Sequence, residues 1–220
     1  MTGDDLYDQA AIIAEVLGDQ DRYEAMRADY DARIAYLEEH TADVPEEGRP
    51  SAIYLQTRDL SIASAGTSYT YQMDLGGAVN AASQIAGEGQ MAYWETVDME
   101  QILEWDPDVI LLSHFDTFVP GDFYDNTIEG QDWSNVSAAV NHRIYKEPLD
   151  AEMWCINYLQ AGLYAQWMAK LLQPEVFADL DLVQEIEDYY QEFYGIELTD
   201  EDVAQILMVD ANGLSLEAFR

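Results

Sequence analysis

Apolar positions along this 220-residue chain change their period twice. Over residues 4–40 they recur at helical spacing, so that Ala10–Leu17 and Tyr23–Leu37 each predict an amphipathic helix, with Gly18 and Asp19 as the break between them. The Pro/Gly stretch VPEEGRPS (44–51) interrupts that pattern as a linker. Short apolar, β-branched runs then predict strands near 52–56, 61–65, 109–113 and 143–147, separated by helices near 69–76 and 97–105. After Pro148 the helical period returns, near 152–172, 180–194 and 200–208. In QEIEDYYQEF (184–193), Ile186, Tyr189, Tyr190 and Phe193 form the packing stripe of a helix whose other face is solvated.

The segment WETVDMEQILEWDPDVILLS (94–113) carries most information. Val97, Ile102 and Leu103 recur at helical spacing among the polar Asp98, Glu100 and Gln101. Pro107 disfavours helical geometry at Asp106, and Val109–Leu112 has the length and branching of a buried parallel strand. Alternation of this kind argues an α/β fold, a mostly parallel sheet flanked by helices, Rossmann-like and single-lobed, behind a long amino-terminal helical connector. The expected organisation is a connector over 1–43, an α/β lobe over 44–208, and a tail over 209–220 whose sequence predicts nothing.

The same segment resembles a motif of the periplasmic-binding-protein family whose members deliver ferric siderophores, haem and vitamin B12 to ABC importers. AIYLQ (52–56) fits the strand that opens that family's second lobe, and DLGGAVNAAS (74–83) resembles its glycine-pair element. WSNVSAAVNHRIYKEP (133–148) and LLQPEVFADLDL (171–182) resemble two further motifs, in family order over about residues 50–208. Family members have two α/β lobes joined by a long helix, with ligand between the lobes. The resemblance therefore implies that this chain holds the joining helix and the second lobe, and that the first lobe is missing.

That resemblance implies a site. Trp94 falls where the vitamin B12-binding relative has a ligand-packing tryptophan, and Glu100 falls on the glutamate that pairs with arginines of the permease. Loops at strand ends, where open α/β sheets bind ligands, supply Thr67, Ser68 and Tyr69 in AGTSYTY (65–71), the segment SHFDTF (113–118), and Trp154 with Met153 in DAEMWCIN (150–157). Each aromatic has an ordinary core role as its alternative, and Glu100 has one as a first-turn acid favoured by the helix dipole. The implied partners are an ABC importer permease and a small iron complex or corrinoid, the cargo being a ferric siderophore, haem or cobalamin, with no resident cofactor. The absent lobe or a second copy of the chain would cover the exposed face, and the setting is extracytoplasmic. Two other readings stand beside transport: a half-lobe protein engaged in self-association or protein contacts, and a lobe associated with a metallocluster enzyme.

Composition narrows the field. Nine Lys plus Arg against 44 Asp plus Glu give a formal charge of −35, which repels phosphate backbones and argues against nucleic-acid binding. No run approaches the roughly 18–20 apolar residues of a membrane span, and the amino terminus shows no charged head before an apolar signal core. The single Cys155 permits neither an internal disulfide nor a cysteine cluster, which also counts against the metallocluster reading. His114 and Asp116 are too few for a metal site, and His40 and His142 lie in segments without ligand spacing. Gly76–Gly77 lacks a phosphate-loop lysine and reads as a turn after a helix. No nucleophile elbow, Cys/His motif or zinc-protease helix is present, so no catalytic residues are expected.

Overall fold

The computed structural model describes residues 3–85, 94–149 and 160–220. Its elements run α1 (Gly3–Leu17), α2 (Gln20–Thr41), β1 (Ser51–Gln56), β2 (Ser61–Ala63), α3 (Ser68–Leu75), β3 (Val79–Asn80), β4 (Trp94–Thr96), α4 (Met99–Trp105) and β5 (Val109–Leu112). They continue through α5 (Pro120–Tyr124), α6 (Ser137–Val140), β6 (Ile144–Lys146), α7 (Ala161–Leu172), α8 (Leu182–Tyr194), α9 (Asp200–Ile206) and α10 (Val209–Asn212). Every expected strand and helix among the described residues has its counterpart, and the fold is α/β.

The sheet order is β4-β2-β1-β5-β6, with β3 also pairing β1. Pairings of β1 with β3, β1 with β5 and β5 with β6 are parallel. Those of β1 with β2 and β2 with β4 are antiparallel. Only Thr57–Leu60 separate β1 from β2, too few residues for a crossover, so the chain turns back as a hairpin and gives the sheet one antiparallel edge. The short β3 and β4 and the helices α5, α6 and α10 go beyond the sequence expectation.

Alternate residues of β1 and β5 serve two cores. Ala52, Tyr54, Val109 and Leu111 face α7 and α8, packing with Leu163, Tyr164, Trp167, Ile186 and Tyr189. Ile53, Leu55, Ile110 and Leu112 face the opposite side, with Ile102, Phe123, Trp133 and Val136. This burial on both faces is why these strands read as continuous apolar runs rather than alternating ones.

Local chemistry fixes the helix ends. Asp98 caps α4 by accepting from Gln101 N at 2.9 Å. The helix stops at Asp106, which takes φ 42° ahead of Pro107, and its carboxylate accepts from Ser137 N and Oγ at 2.7 and 2.8 Å, tying α6 to the same corner. In α2 the buried Met26, Tyr30, Arg33, Leu37 and Thr41 form one stripe. Gly162 of α7 lets that stripe approach, because a Cβ there would lie 2.8 Å from Arg33 Cδ. The Arg33 guanidinium is held by Asp29, Gln166 and Glu185, which joins α2, α7 and α8.

Residues 209–220, expected to be a tail, are packed into the lobe instead. Asn212 is buried; its Oδ1 accepts from Lys146 N at 2.6 Å and its Nδ2 donates to Lys146 O at 3.0 Å, while Phe219 is fully buried. The buried Asn212, Val209 and Phe219 help to anchor the segment, without any periodicity that a sequence pattern could reveal.

Candidate functional site

The register of the sheet sends several loops to one end of the strands. Leu55 pairs with Leu112 and Leu112 with Lys146, so β1, β5 and β6 finish together. Gln56 pairs with Ser61 and Ser61 with Thr96, so β2 begins and β4 ends at the same level. Residues 57–60, 97–98, 113–119 and 147–149 therefore share this end, where ligands bind in open α/β sheets.

Below it, against one face of the sheet, the structure brings together three rings. Tyr54 of β1 stacks on Tyr69 in the first turn of α3, with ring centroids 3.8 Å apart and planes 22° apart. Trp94 of β4 lies opposite Ala63 and sits 5.6 Å from the Tyr54 ring and 5.8 Å from the Tyr69 ring. Tyr54 is fully buried, whereas Tyr69 and Trp94 are half-buried and complete the surface. Two expected site residues, twenty-five positions apart in the chain, thus share one aromatic face. Thr67 is buried, and its hydroxyl oxygen accepts from Thr70 N at 3.2 Å as the cap of α3, so much of its chemistry goes to the helix; Ser68 beside it is half-buried. Glu100 stands exposed in the first turn of α4, in a shallow hollow shared with Asp98, Gln101 and Glu104. Trp154, Met153 and Cys155 lie outside the described residues.

The strand-end loops hold a polar network that sequence reasoning named only in part. Glu147, buried just after β6, accepts from His114 N at 2.8 Å and from His114 Nδ1, and its second oxygen accepts from Tyr164 Oη at 2.8 Å. The buried Nε2 of His114 has no hydrogen-bond partner among the described residues. Asp116 accepts from Thr57 N at 2.5 Å and from Phe118 N at 3.1 Å, bracing the loop after β5 against the β1–β2 turn. Lys146 donates to Asp116 O and, at 3.2 Å, to Phe118 O. Burial pushes the Lys146 ammonium below its ordinary pKa, against the opposing pull of Asp116, Glu147 and Asp122. Among the described residues no group of three or more His, Cys, Asp or Glu side chains is arranged to hold a metal ion. Thr57, Glu147 and Tyr164 carried no sequence signal, because each is defined by partners far away in the chain.

An α/β lobe with helices on both faces and an aromatic surface near its strand ends has the architecture of a solute-binding protein. The periplasmic binding protein family model matches residues 1–151, and the chain belongs to that family. The molybdate-binding protein MolA of Haemophilus influenzae is 29% identical over 197 residues, covering 88% of this chain and 53% of the relative. A periplasmic solute-binding protein from Veillonella parvula superimposes with a TM-score of 0.87 at 31% identity, over 96% of this chain and 62% of that one. The molybdate-bound structure of MolA superimposes with a TM-score of 0.73 at 27% identity, over 90% and 58%. The chain thus spans about half to three fifths of the length of these relatives. Proteins of this family are periplasmic and bind solutes without transforming them. No helix among the described residues is long and apolar enough to cross a membrane.

Proposed function

We propose that this chain is the solute-holding lobe of the binding component of an ABC importer, working outside the cytoplasmic membrane. Its cargo is an iron complex such as a ferric siderophore, haem or a corrinoid, received against Tyr69 and Trp94. The observation that carries this reading is the half-buried aromatic face on a lobe of the family: two flat rings present a large contact area at little entropic cost. Thr67, Ser68, Trp154 and Met153 complete the cleft in this reading. Glu100 is the docking acid for the permease; its exposure at the strand-end rim suits a charge-assisted pair with an arginine.

A second reading of the cargo has its own support. The likeness to the Haemophilus molybdate-binding protein favours a compact oxyanion. Self-association in place of transport has no such support.

Titration of the purified chain with ferric siderophores, haem, cobalamin and molybdate, followed by tryptophan fluorescence, separates the two. Saturable quenching by a ring-bearing ligand that is lost in Trp94→Ala supports the first reading. Binding of molybdate alone, indifferent to Trp94→Ala, sinks it in favour of the second.

A further inference from the structure

Every lysine and arginine of this chain lies among the described residues, because the stretches outside them, 1–2, 86–93 and 150–159, contain Glu88, Asp150 and Glu152 but no cationic side chain. The nine cations can therefore be set in full against the 44 carboxylates. Arg27, Arg33, Arg49 and Arg220 form ion pairs with Asp31, with Asp29 and Glu185, with Asp74, and with Asp200. Arg22 and Arg143 donate to backbone carbonyls of Phe193 and of Leu171 and Leu172. Lys146 and Lys170 are buried among backbone carbonyls. Arg58, exposed in the turn between β1 and β2, has no hydrogen-bond or ion-pair partner among the described residues. It shares its strand-end hollow with Asp59 and Asp116, so even this guanidinium stands beside opposing charge.

The aromatic face has the opposite bias. Where the fold sets a cation over a ring, it does so on α8, with Arg22 over Tyr194 and Arg33 over Tyr189, each 5.7 Å from the centroid. The half-buried Tyr69 and Trp94 lie with their planes 56° apart, and the buried Tyr54 stacks against Tyr69. Ring faces carry the negative part of the aromatic quadrupole and attract positive charge. A formal charge of −35 surrounds them with a field of the same sign. The two effects add for a cation and oppose an anion, and eight of the nine cations that could offset them are already committed.

We propose that the lobe sorts its cargo by charge at the Tyr69–Trp94 face, taking a cationic iron complex over a neutral one and rejecting an anionic one of the same shape. This inference rests on the reading of that face as the cargo site and narrows the cargo it takes. Haem, with two propionates, becomes the disfavoured ligand, and a complex that carries a free ammonium the favoured one. The two sources of selection differ in reach. Attraction to a ring face acts within about 6 Å of its centroid, whereas the field of exposed carboxylates is screened over a Debye length of about 8 Å at physiological ionic strength. Added salt therefore weakens the second far more than the first.

Equilibrium dialysis of the whole chain against the ferric complex of desferrioxamine B presents one iron-hydroxamate core in three charge forms: the parent with its protonated terminal amine, the neutral N-acetyl form and the anionic N-succinyl form. At about 0.15 M salt the cation is expected to bind about tenfold tighter than the anion, with the neutral form between them. At about 1 M salt the ratio narrows and the order stays. Thr96 is exposed two positions beyond Trp94 on β4, hence on the same face of the strand, and Thr96→Lys should narrow or reverse the order. An order that Thr96→Lys leaves unchanged overturns the inference, because the selection then lies elsewhere on the molecule. Equal binding of all three forms, lost in Trp94→Ala at unchanged Tm and kept in Trp94→Phe, also overturns it while the transport reading stands. Binding of none of the three, or binding indifferent to Trp94→Ala, overturns both.

Discussion

Lys170 and Arg58 stand in two regions that treat positive charge in opposite ways. In the carboxy-terminal helical layer, the Lys170 ammonium is buried and donates to the carbonyls of Phe177, Ala178, Leu180 and Arg220 at 2.7 to 3.3 Å. Burial pushes its pKa below the ordinary value, and Asp181 and Asp179 push back. The cation closes the end of the chain onto α7, and nothing about it is available to a ligand. At the strand-end rim, Arg58 is exposed and Thr57 keeps an unpaired hydroxyl. The contrast teaches that in so acidic a chain the informative cation is the one the fold leaves unused.

The comparison breaks most visibly if Lys170 is removed. Lys170→Met should cost about 3 kcal/mol, because several carbonyls lose one charged donor at once, and the midpoint of urea denaturation reads the loss. A cost below 1 kcal/mol would mean that water replaces the ammonium and that this region is less closed than its geometry indicates. An intermediate effect is expected at Tyr124, whose hydroxyl donates to Ile144 O and accepts from Ile144 N, both at 3.1 Å, at the start of β6. Tyr124→Phe should cost about 1 kcal/mol. Partial burial, with a smaller opposing effect from the hydrogen bond to Ile144, pushes the Tyr124 pKa up to about 12. The fold therefore favours the neutral phenol: this contribution is whole below pH 10 and is lost as pH rises from 10 to 12. Stability against pH should fall less steeply in that window for Tyr124→Phe than for the parent. The smallest change is expected from Arg58→Ala, within about 0.5 kcal/mol of the parent in the same denaturation experiment. A larger loss would move Arg58 into the class of Lys170.

Much of the fold was legible because its signals are local. The helix, Pro107 and buried run over 94–113 emerge as α4 and β5 within a few residues of expectation, since capping by Asp98 and the stop at Asp106 are short-range chemistry. The two-residue β3 and three-residue β4 are strands only because β1 and β2 are there to pair with them, and no periodicity can develop over such lengths. The fold-back at Asn212 depends on Lys146, sixty-six positions away. For the site, Trp94 was expected from family resemblance and Tyr69 from its loop at a strand end, and their 5.8 Å approach follows from the hairpin that carries β2 back beside β1. Arg58 was illegible for a different reason: an arginine in a turn looks like any other until the partners of the remaining eight cations are known.

The helix α2 has a mechanical meaning. Its 22 residues make a strut about 33 Å long. Near its middle, Arg33 is clamped by Asp29, Gln166 and Glu185 at the place where Gly162 removes any cushion between the helices. A force applied along the strut therefore passes into α7 and α8, and from there into the sheet, instead of being absorbed by bending. The clamp thus ties the strut to the same helices and sheet that carry the aromatic face and the strand-end rim.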